Sequence, residues 1–485
     1  MEISSRTVKV SLIIPPALGM GQMWCPNLPI GLAYLAAVIE KAGYELKVFD
    51  CPALEIDLKT LGAKLASFEP DVVGITSVTP MIESTLLTAR VAKENCPNAT
   101  VVLGGPHATF MDSQILSEHP EVDVIVRGEG EQTMLDLLQN LFQSGDLQAV
   151  LGISFRKNGQ VIRTPNRPFI QNLDELPRPA YHYFALKKYQ FFGKTILPIL
   201  TSRGCPFQCS YCVSSRMIGK AFRARDPNLV VDELEWLKNV HDAGAFSFYD
   251  DAFTYDTQRA ITICEEIKKR NIGVPWDCQT RVDRISKEVL VKMRDADCQL
   301  VSFGAESGCQ AILDSVNKKT TIEQNEKAIK LAKDVGLSVA MSVIIGYPGE
   351  TVDTLRQTFD FIRRTKPDYV YLCLATPYPG TALRSALEEL GWPMSSDWSR
   401  YDMQGPVFEN PSLPVDLVKM RREFYNRFYS WSYILRQSLK GTFYSKSMAR
   451  TALNDRVWRT KLLRSVFVNF RKLRSQQKSR QYAYT

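Results

Sequence analysis

The chain has 485 residues, 45% of them hydrophobic and 23% charged, and its formal net charge is +8. This composition is ordinary for a globular protein with a sizeable core, and the length suggests two or three domains. We find no apolar run of membrane-spanning length and no secretory signal pattern, so we expect a cytoplasmic protein whose eleven cysteines are reduced thiols and metal ligands rather than disulfides.

Short β-branched runs alternate with helical patterns through the first third of the chain. Strands are predicted at 8–14, 46–50, 71–77, 100–104 and 122–127, and helices at 31–41, 82–94, 111–118 and 131–142. This alternation is typical of an α/β fold with a doubly wound, Rossmann-like parallel sheet. We assign residues 1–145 to this domain.

Glycines, hydroxyls, a histidine and an acid follow the predicted strands, at the edge where a doubly wound sheet binds its ligands. The candidate residues are Thr76, Ser77, Gly104, Gly105, His107, Gly128 and Glu129. The fingerprint G-x-G-x-x-G is absent from the first strand-helix turn, which argues against a nicotinamide cofactor. The pattern therefore predicts a site for a nucleotide-like or larger cofactor, and a sheet that binds nothing is the alternative.

Residues 146–194 predict a hairpin followed by a linker. The hairpin runs from Gly152 to Ile162, with its turn at Asn158 and Gly159. A proline-rich stretch follows it. We expect this segment to connect two domains and to allow one to close over the other.

Three cysteines, Cys205, Cys209 and Cys212, are separated by three and then two residues, just after an apolar run. A four-iron cluster held by three thiolates keeps one iron open to an outside ligand. The alternatives are a zinc site and a chance grouping in the core, but zinc would take a fourth Cys or His at short spacing, and the nearest downstream histidine is His241. The spacing therefore predicts a [4Fe-4S] cluster, and the other eight cysteines are interpreted as buried thiols.

This stretch resembles the signature of the radical S-adenosylmethionine (SAM) superfamily, C-x3-C-x2-C with an aromatic residue before the last cysteine, here Tyr211. The resemblance implies that the open iron binds the amino and carboxylate groups of SAM, that Tyr211 lies near the adenine, and that reductive cleavage gives a 5'-deoxyadenosyl radical. It also implies a partial (β/α)6 barrel, which we assign to residues 195–374. Its strands are predicted at 196–201, 245–249, 276–281, 299–304, 338–345 and 369–374.

Polar residues follow successive strands of this barrel, at the ends where parallel barrels carry their chemistry. Asp250 and Asp251 take the place of the family's SAM-amine segment, although its glycines are missing. Arg281 would clamp the SAM carboxylate with two hydrogen bonds, and Glu306 would hold the ribose hydroxyls or the amine. For each of these residues, a helix cap or a surface ion pair is the alternative.

The first domain, placed before such a barrel, resembles the cobalamin-binding domain of the cobalamin-dependent radical SAM proteins. The resemblance is carried by Pro29-Ile-Gly-Leu-Ala-Tyr-Leu-Ala, Gly104-Gly-Pro-His-Ala-Thr and Arg127-Gly-Glu-Gly-Glu. It implies that the seven candidate residues of the sheet contact cobalamin. The D-x-H-x-x-G segment that supplies a lower axial histidine in many cobalamin enzymes is missing, so the lower ligand of cobalt is left open. His107 would approach the cobalt or a cobalamin amide, or serve only in capping and packing.

Residues 375–485 depart from the barrel rhythm, and we expect a mainly helical region there. Between 436 and 485, thirteen Lys and Arg stand against one acid, which gives a local net charge of +12. A stripe at helical spacing is formed by Trp458, Leu462, Val466, Phe470 and Leu473. These features predict a basic amphipathic helix that lies on an anionic membrane surface, against an acidic partner or against the barrel, whereas nucleic acid is disfavoured because no RNA-binding module accompanies the charge.

The family resemblance implies a carbon methyltransferase. SAM would supply the methyl group through methylcobalamin to an unactivated carbon, after the 5'-deoxyadenosyl radical has removed hydrogen and with electrons from an external donor. The substrate would be a protein side chain, as in a methyl-coenzyme M reductase, or a lipid or small molecule. The domain order also resembles the anaerobic porphyrin cyclase, so a ring-forming oxidative enzyme is a second hypothesis. A non-catalytic sensor of cobalamin or SAM is a third.

Overall fold

A computed structural model describes residues 7–17 and 27–459. The chain divides into two units, with the division between Val418 and Lys419. No disulfide joins any of the ten cysteines in the described ranges. None of the helices described there is long and apolar enough to cross a membrane.

The first sheet has seven strands in the order β2-β1-β3-β4-β5-β6-β7. Their bounds are β1 Lys9–Ile14, β2 Glu45–Asp50, β3 Val72–Thr76, β4 Thr100–Gly104, β5 Val124–Val126, β6 Ile153–Lys157 and β7 Gln160–Arg163. Strands β1 to β5 are parallel. Strands β1, β3 and β4 are almost wholly buried, and most of their residues are apolar. Parallel strands that are covered on both faces have such nearly continuous hydrophobic sequences. The predicted doubly wound sheet is confirmed.

Seven helices accompany this sheet. Their bounds are α1 Ile30–Lys41, α2 Cys51–Leu54, α3 Leu58–Phe68, α4 Ile82–Asn95, α5 Pro106–Phe110, α6 Asp112–Glu118 and α7 Glu131–Gln139. Helix α3 was not predicted; it begins at the cap Asp57, whose carboxylate accepts from the backbone N–H of Thr60. Short connections between these helices and the strands bring the candidate cofactor residues to one edge of the sheet.

The predicted hairpin is confirmed, with Lys157 paired to Gln160 across the turn. Strand β6 pairs antiparallel with β5, so the hairpin extends the first sheet. Burial of Ile153 and Phe155 explains this placement, since each joins the sheet's core.

The second sheet is the predicted partial barrel, with the order β16-β15-β14-β13-β12-β9-β8. Its six parallel strands are β9 Lys194–Ile199, β12 Ala245–Phe248, β13 Trp276–Thr280, β14 Cys298–Glu306, β15 Ser338–Ile345 and β16 Tyr369–Leu374. Strand β8 Gln190–Phe191 adds an antiparallel edge, and β10 Ser202–Arg203 pairs with β11 Arg223–Ala224 beside it. Strands β8 and β16 form the two edges of the described sheet, so the barrel is open.

Helices follow the barrel strands in order. They are α8 Ser214–Met217, α9 Pro227–His241, α10 Thr257–Lys269, α11 Lys287–Asp295, α12 Gln310–Ser315, α13 Ile322–Asp334, α14 Val352–Thr365 and α15 Ala382–Glu389. Their starts are encoded locally: Asp226 caps α9 ahead of Pro227, and Thr321 and Gln324 form a capping box on α13.

The carboxyl-terminal part is helical, as expected. Helices α16 Leu417–Phe428, α17 Trp431–Leu439 and α18 Phe443–Arg459 follow the barrel. In the second unit, α17 and α18 pack together through Tyr433, Ile434, Ala449 and Ala452. Most of the predicted basic amphipathic stripe, from Leu462 to Leu473, lies outside the described residues.

Candidate active site

The three cysteines lie on one loop between β10 and α8, and backbone contacts hold this loop in place. Cys205 N–H donates to Gly219 O at 3.0 Å, and Ser210 N–H donates to Val316 O at 3.0 Å. Gly204 makes this path possible, because it has a φ of +93° and a Cβ there would lie 1.9 Å from Ala221 O. The loop is therefore anchored at both the barrel and the following turn.

The thiols share one environment and influence one another. Burial raises the pKa of Cys205 to about 11, and Asp251, Cys212 and Cys209 add to the rise. A bound cluster would supply the positive charge that three neighbouring thiolates need, since metal coordination deprotonates a thiol. The donor set therefore fits a [4Fe-4S] cluster with Cys205, Cys209 and Cys212 as its ligands.

A single metal ion is a poorer match to the same loop. In the parts of the chain that the structure describes, no three His, Cys, Asp or Glu side chains converge as ligands of one ion. The three cysteines of a four-iron cluster each bind a different iron, so their sulfurs stand further apart than the ligands of one ion do.

Asp250 and Asp251 support the cluster loop from the end of β12. Asp250 is fully buried, and its Oδ1 accepts from Thr201 N at 3.1 Å, from Thr201 Oγ1 at 2.9 Å and from Ser202 Oγ. Asp251 accepts from Ser214 Oγ at 2.9 Å, and Ser214 Oγ lies 3.4 Å from Cys212 Sγ. Burial raises the pKa of both carboxyls. Asp250 thus contacts the segment just before the cysteine loop and Asp251 the helix just after it, and their predicted contact with the SAM amine stays a prediction.

Arg281 lies beside the cluster loop, but a neighbouring acid holds its guanidinium. Nε donates to Asp283 Oδ1 at 2.8 Å, and Nη2 donates to Lys318 O at 2.9 Å. The guanidinium carbon stacks 3.6 Å from the ring centre of Phe207, and Nη1 lies 4.0 Å from Cys209 Sγ. The carboxylate that Arg281 holds in this structure is therefore Asp283, and its contact with SAM remains a prediction.

Buried Glu306 and Lys318 form a polar group with the partly buried Tyr211 of the loop. Glu306 sits at an irregularity of β14 with a φ of +63°. Lys318 Nζ lies 2.8 Å from Glu306 Oε1 and 3.3 Å from Tyr211 OH, and the rings of Tyr211 and Tyr347 are 6.0 Å apart. Sequence reasoning missed Lys318, because a lysine in a short Asn-Lys-Lys turn gives no sign of burial.

A cleft separates the edge of the first sheet from the start of the barrel. Its cavity volume is about 390 Å³, and the cavity is open to solvent on one side. Five candidate residues line it, namely Thr76, Gly104, Gly105, Gly128 and Glu129. The opposite wall is formed by Leu200, Arg203, Met217 and Ile218, which flank the cysteine loop. Because glycines form much of its wall, a large cofactor can reach the backbone, so the cleft fits cobalamin.

The other two candidates, Ser77 and His107, are buried outside the lining of this cleft. The ring of His107 packs edge-on against Trp398, 5.0 Å between centroids, and its Nδ1 lies 3.2 Å from Thr79 Oγ1. Burial, and secondarily Arg384, lowers the pKa of His107 to about 4, so its ring is neutral. Packing against Trp398 and the contact with Thr79 account for this histidine here, and contact with cobalt stays a prediction.

Glu129 belongs to a buried network of four charges that joins the sheet to the cysteine loop. Its Oε1 accepts from Arg203 Nη1 and from Arg223 Nη1, both at 3.0 Å. Arg203 Nη2 also donates to Glu131 Oε1 at 2.6 Å. Sequence reasoning missed both arginines, although Arg203 stands two residues before Cys205 in the same stretch.

Two family models match the chain. The model described as the B12 binding domain matches residues 27–138, and the model described as the Radical SAM superfamily matches residues 199–362. The chain is similar to an uncharacterized methyltransferase of Pyrococcus horikoshii, 34% identical over 427 residues that cover 87% of this chain and 93% of that protein. It is also similar to the anaerobic magnesium-protoporphyrin IX monomethyl ester cyclase of Rubrivivax gelatinosus, 37% identical over 83% of this chain and 73% of the cyclase.

A solved structure shares the fold. The radical SAM methyltransferase TsrM of Kitasatospora setae, solved with cobalamin and a [4Fe-4S] cluster bound, aligns with a TM-score of 0.72. The alignment covers 93% of this chain and all of that chain, at 18% identity.

Proposed function

The chain belongs to the radical SAM enzymes that carry a B12-binding domain before the barrel, and we propose that it is a methyltransferase acting on an unactivated carbon. Its cofactors are a [4Fe-4S] cluster, SAM and cobalamin. When bound, the cluster and SAM supply a hydrogen-abstracting radical, and cobalamin supplies the methyl group. In the overall reaction, one SAM donates its methyl group and becomes S-adenosylhomocysteine. A second SAM takes one electron from an external donor and gives methionine and the 5'-deoxyadenosyl radical, which removes the substrate hydrogen and leaves as 5'-deoxyadenosine. A C–H bond of the substrate becomes a C–CH3 bond, and a second electron from the donor completes the turnover.

The observation that carries this proposal is the position of the cleft. The cofactor edge of the sheet, with Gly104 and Gly128, faces Leu200 and Met217, and these two residues flank the cysteine loop. One substrate between the two cofactor sites would therefore meet both, which hydrogen abstraction followed by methyl transfer requires.

The residues of this chain would hold and orient the cofactors. Cys205, Cys209 and Cys212 would bind the cluster. Ser214 contacts Cys212, and Asp251 holds Ser214. Tyr211, Glu306 and Lys318 would line the SAM site beside Cys209. The side chains of Glu306 and Lys318 are at most 7% exposed, so this part of the site would be shielded from water.

The experiment uses anaerobically purified, cluster-reconstituted protein with cobalamin, SAM deuterated in its methyl group, reductant and cell extract. We expect S-adenosylhomocysteine and 5'-deoxyadenosine to form together, and a labelled product to appear in the extract. Cys209→Ala should abolish both cluster absorbance and deoxyadenosine. Cys96→Ala, which removes a buried thiol far from the loop in sequence, is the matched control and should leave both unchanged. Deoxyadenosine formation that survives Cys209→Ala would contradict the cluster assignment.

A ring-forming oxidative enzyme is the second candidate, and its support is the 37% identity to the anaerobic cyclase. The same assay separates the two. Deoxyadenosine without S-adenosylhomocysteine, and a product that lacks the label, would favour ring formation.

The substrate is proposed to be a small molecule or a lipid. Peripheral membrane contact is supported by the +12 charge of residues 436–485 and by Leu435 and Leu439 of α17, whose side chains are exposed beside Arg436. Co-sedimentation of the full chain with phosphatidylglycerol vesicles, but not with phosphatidylcholine vesicles, is the expected result. Equal recovery with both, or with neither, would contradict it.

A further inference from the structure

A second cavity, of about 260 Å³, adjoins the cobalamin cleft, with which it shares Gly128, Glu129 and Met217. We call it the arginine pocket, because four arginines line it, namely Arg127, Arg163, Arg167 and Arg216. They come from the end of the first sheet, from the segment after the hairpin and from the helix after the cysteine loop. Neither family membership nor the cluster chemistry assigns a role to this cavity.

The described acids do not balance the charges of the arginine pocket. Asp112 Oδ2 serves two guanidinium groups, with Arg163 Nε at 3.2 Å and Arg127 Nε at 3.7 Å. Arg167 is paired with Asp136, while Arg216 donates to the carbonyl oxygen of Gly380 at 3.0 Å.

Glu129 also lines the pocket but is engaged by Arg203 and Arg223. Four positive charges therefore face two carboxylates, which leaves an excess of two.

One of the four charges is buried and feels the repulsion of its neighbour. The side chain of Arg127 is 4% exposed, and burial together with the charge of Arg163 lowers its pKa. Arg163, whose side chain is 54% exposed, and Arg216 can still turn toward a ligand. An anion in the pocket would relieve the repulsion, and carboxylate or phosphate oxygens suit the fork geometry of guanidinium groups.

We propose that the arginine pocket binds the carboxylate or phosphate group of a ligand whose other part lies in the adjoining cleft. The proposal rests on the assignment of that cleft to cobalamin and its substrate. Two sources share this chemistry, namely the phosphodiester of the cobalamin nucleotide and an acidic group on the substrate.

The experiment compares the full-length protein with Arg163→Ala and with the double variant that adds Arg216→Ala. Arg356→Ala is the matched control, because Arg356 is exposed and forms only a surface pair with Asp353 among its described contacts. Two corrinoids are titrated by absorbance: cobalamin and cobinamide, which lacks the phosphodiester. Unfolding midpoints are measured in phosphate and in chloride at equal ionic strength.

Cobalamin binding about tenfold weaker in the double variant, with cobinamide binding unchanged, would assign the pocket to the cofactor's phosphodiester. Unchanged corrinoid binding, with loss of a stabilisation specific to phosphate, would assign it to an acidic substrate. The proposal is overturned if phosphate stabilises the wild type no more than chloride does and the variants bind cobalamin as the control does. Anion binding that persists without any methylated product would refute the proposed function and leave the pocket assignment intact.

Discussion

Arg203 and Glu129 form a buried ion pair, with 3.0 Å between Nη1 and Oε1, although Arg203 lies just before the cysteine loop and Glu129 follows strand β5 of the first sheet. Both side chains are at most 7% exposed. The pair therefore fixes the distance between the cysteine loop and the cleft edge. Arg203 also pairs with Glu131, and Glu129 also pairs with Arg223. The Gly-Glu-Gly-Glu segment that resembles a cobalamin-binding segment thus also positions one domain against the other.

Arg203→Met should lower the free energy of unfolding by about 3–5 kcal/mol, because Glu129 and Glu131 would each lose a buried partner. Urea denaturation of the apoprotein measures this. Arg356→Met, at an exposed pair, should change it by less than about 1 kcal/mol. Equal midpoints and slopes for Arg203→Met and wild type would show that the pair does not hold the domains together.

Gly204→Ala should prevent stable folding of the cysteine loop. Its Cβ would stand 1.9 Å from Ala221 O, a backbone atom, in addition to the strain of a φ of +93°. Gly193→Ala separates the two effects, because Gly193 has a φ of +79° but nothing within 4 Å of an added Cβ. We expect a loss of about 1 kcal/mol for Gly193→Ala and several times more for Gly204→Ala. Iron and sulfide content after reconstitution should fall only in Gly204→Ala, and full cluster content there would contradict the close contact.

Lys318→Met should destabilise the protein by about 3–5 kcal/mol, because Glu306 would keep a buried carboxylate without its 2.8 Å partner. The double variant Glu306→Gln with Lys318→Met should recover part of this loss, since neither charge remains. A double-mutant cycle in urea measures the coupling. Additive losses would mean that the two side chains do not interact.

Glu350 should make stability depend on pH. Its Oε2 accepts from the backbone N–H of Gly346, yet burial raises its pKa from 4.5 to about 7. The folded state therefore binds this proton more tightly than the unfolded state, so the stabilisation is present below pH 4.5 and is lost as the pH rises through about 7. Its size is about 3 kcal/mol, from 1.36 kcal/mol per pKa unit.

Glu350→Gln removes the titration, so the difference in unfolding free energy between wild type and variant should change between pH 4.5 and 7. Other groups titrate alike in both proteins and cancel. A constant difference across this range would place the folded pKa of Glu350 at its ordinary value.

The sequence predicted the two sheets well, because local residue patterns identify their strands. The strands at 338–345 and 369–374 were located at their observed bounds, since β-branched runs between helical patterns leave little choice of element. Helix α3 was missed because its apolar positions, Leu61, Leu65 and Phe68, are few and its cap Asp57 looks like any loop acid.

The contacts within the site were harder to predict, because they depend on pairs far apart in the chain. The pair between Arg281 and Asp283 was not predicted, whereas the contact of Arg281 with SAM stays a prediction. The burial of Lys318 and the excess charge around Arg163 result from contacts between segments that are far apart in the chain. Long-range pairing, rather than local propensity, decides such contacts.

The anchoring of the cysteine loop also bears on how the metal centre is built. Gly219 and Val316 hold the loop through backbone hydrogen bonds, and Asp250 holds the segment just before it. These bonds restrict the backbone of the loop, so part of the conformational entropy that a metal centre must overcome is lost when the polypeptide itself folds.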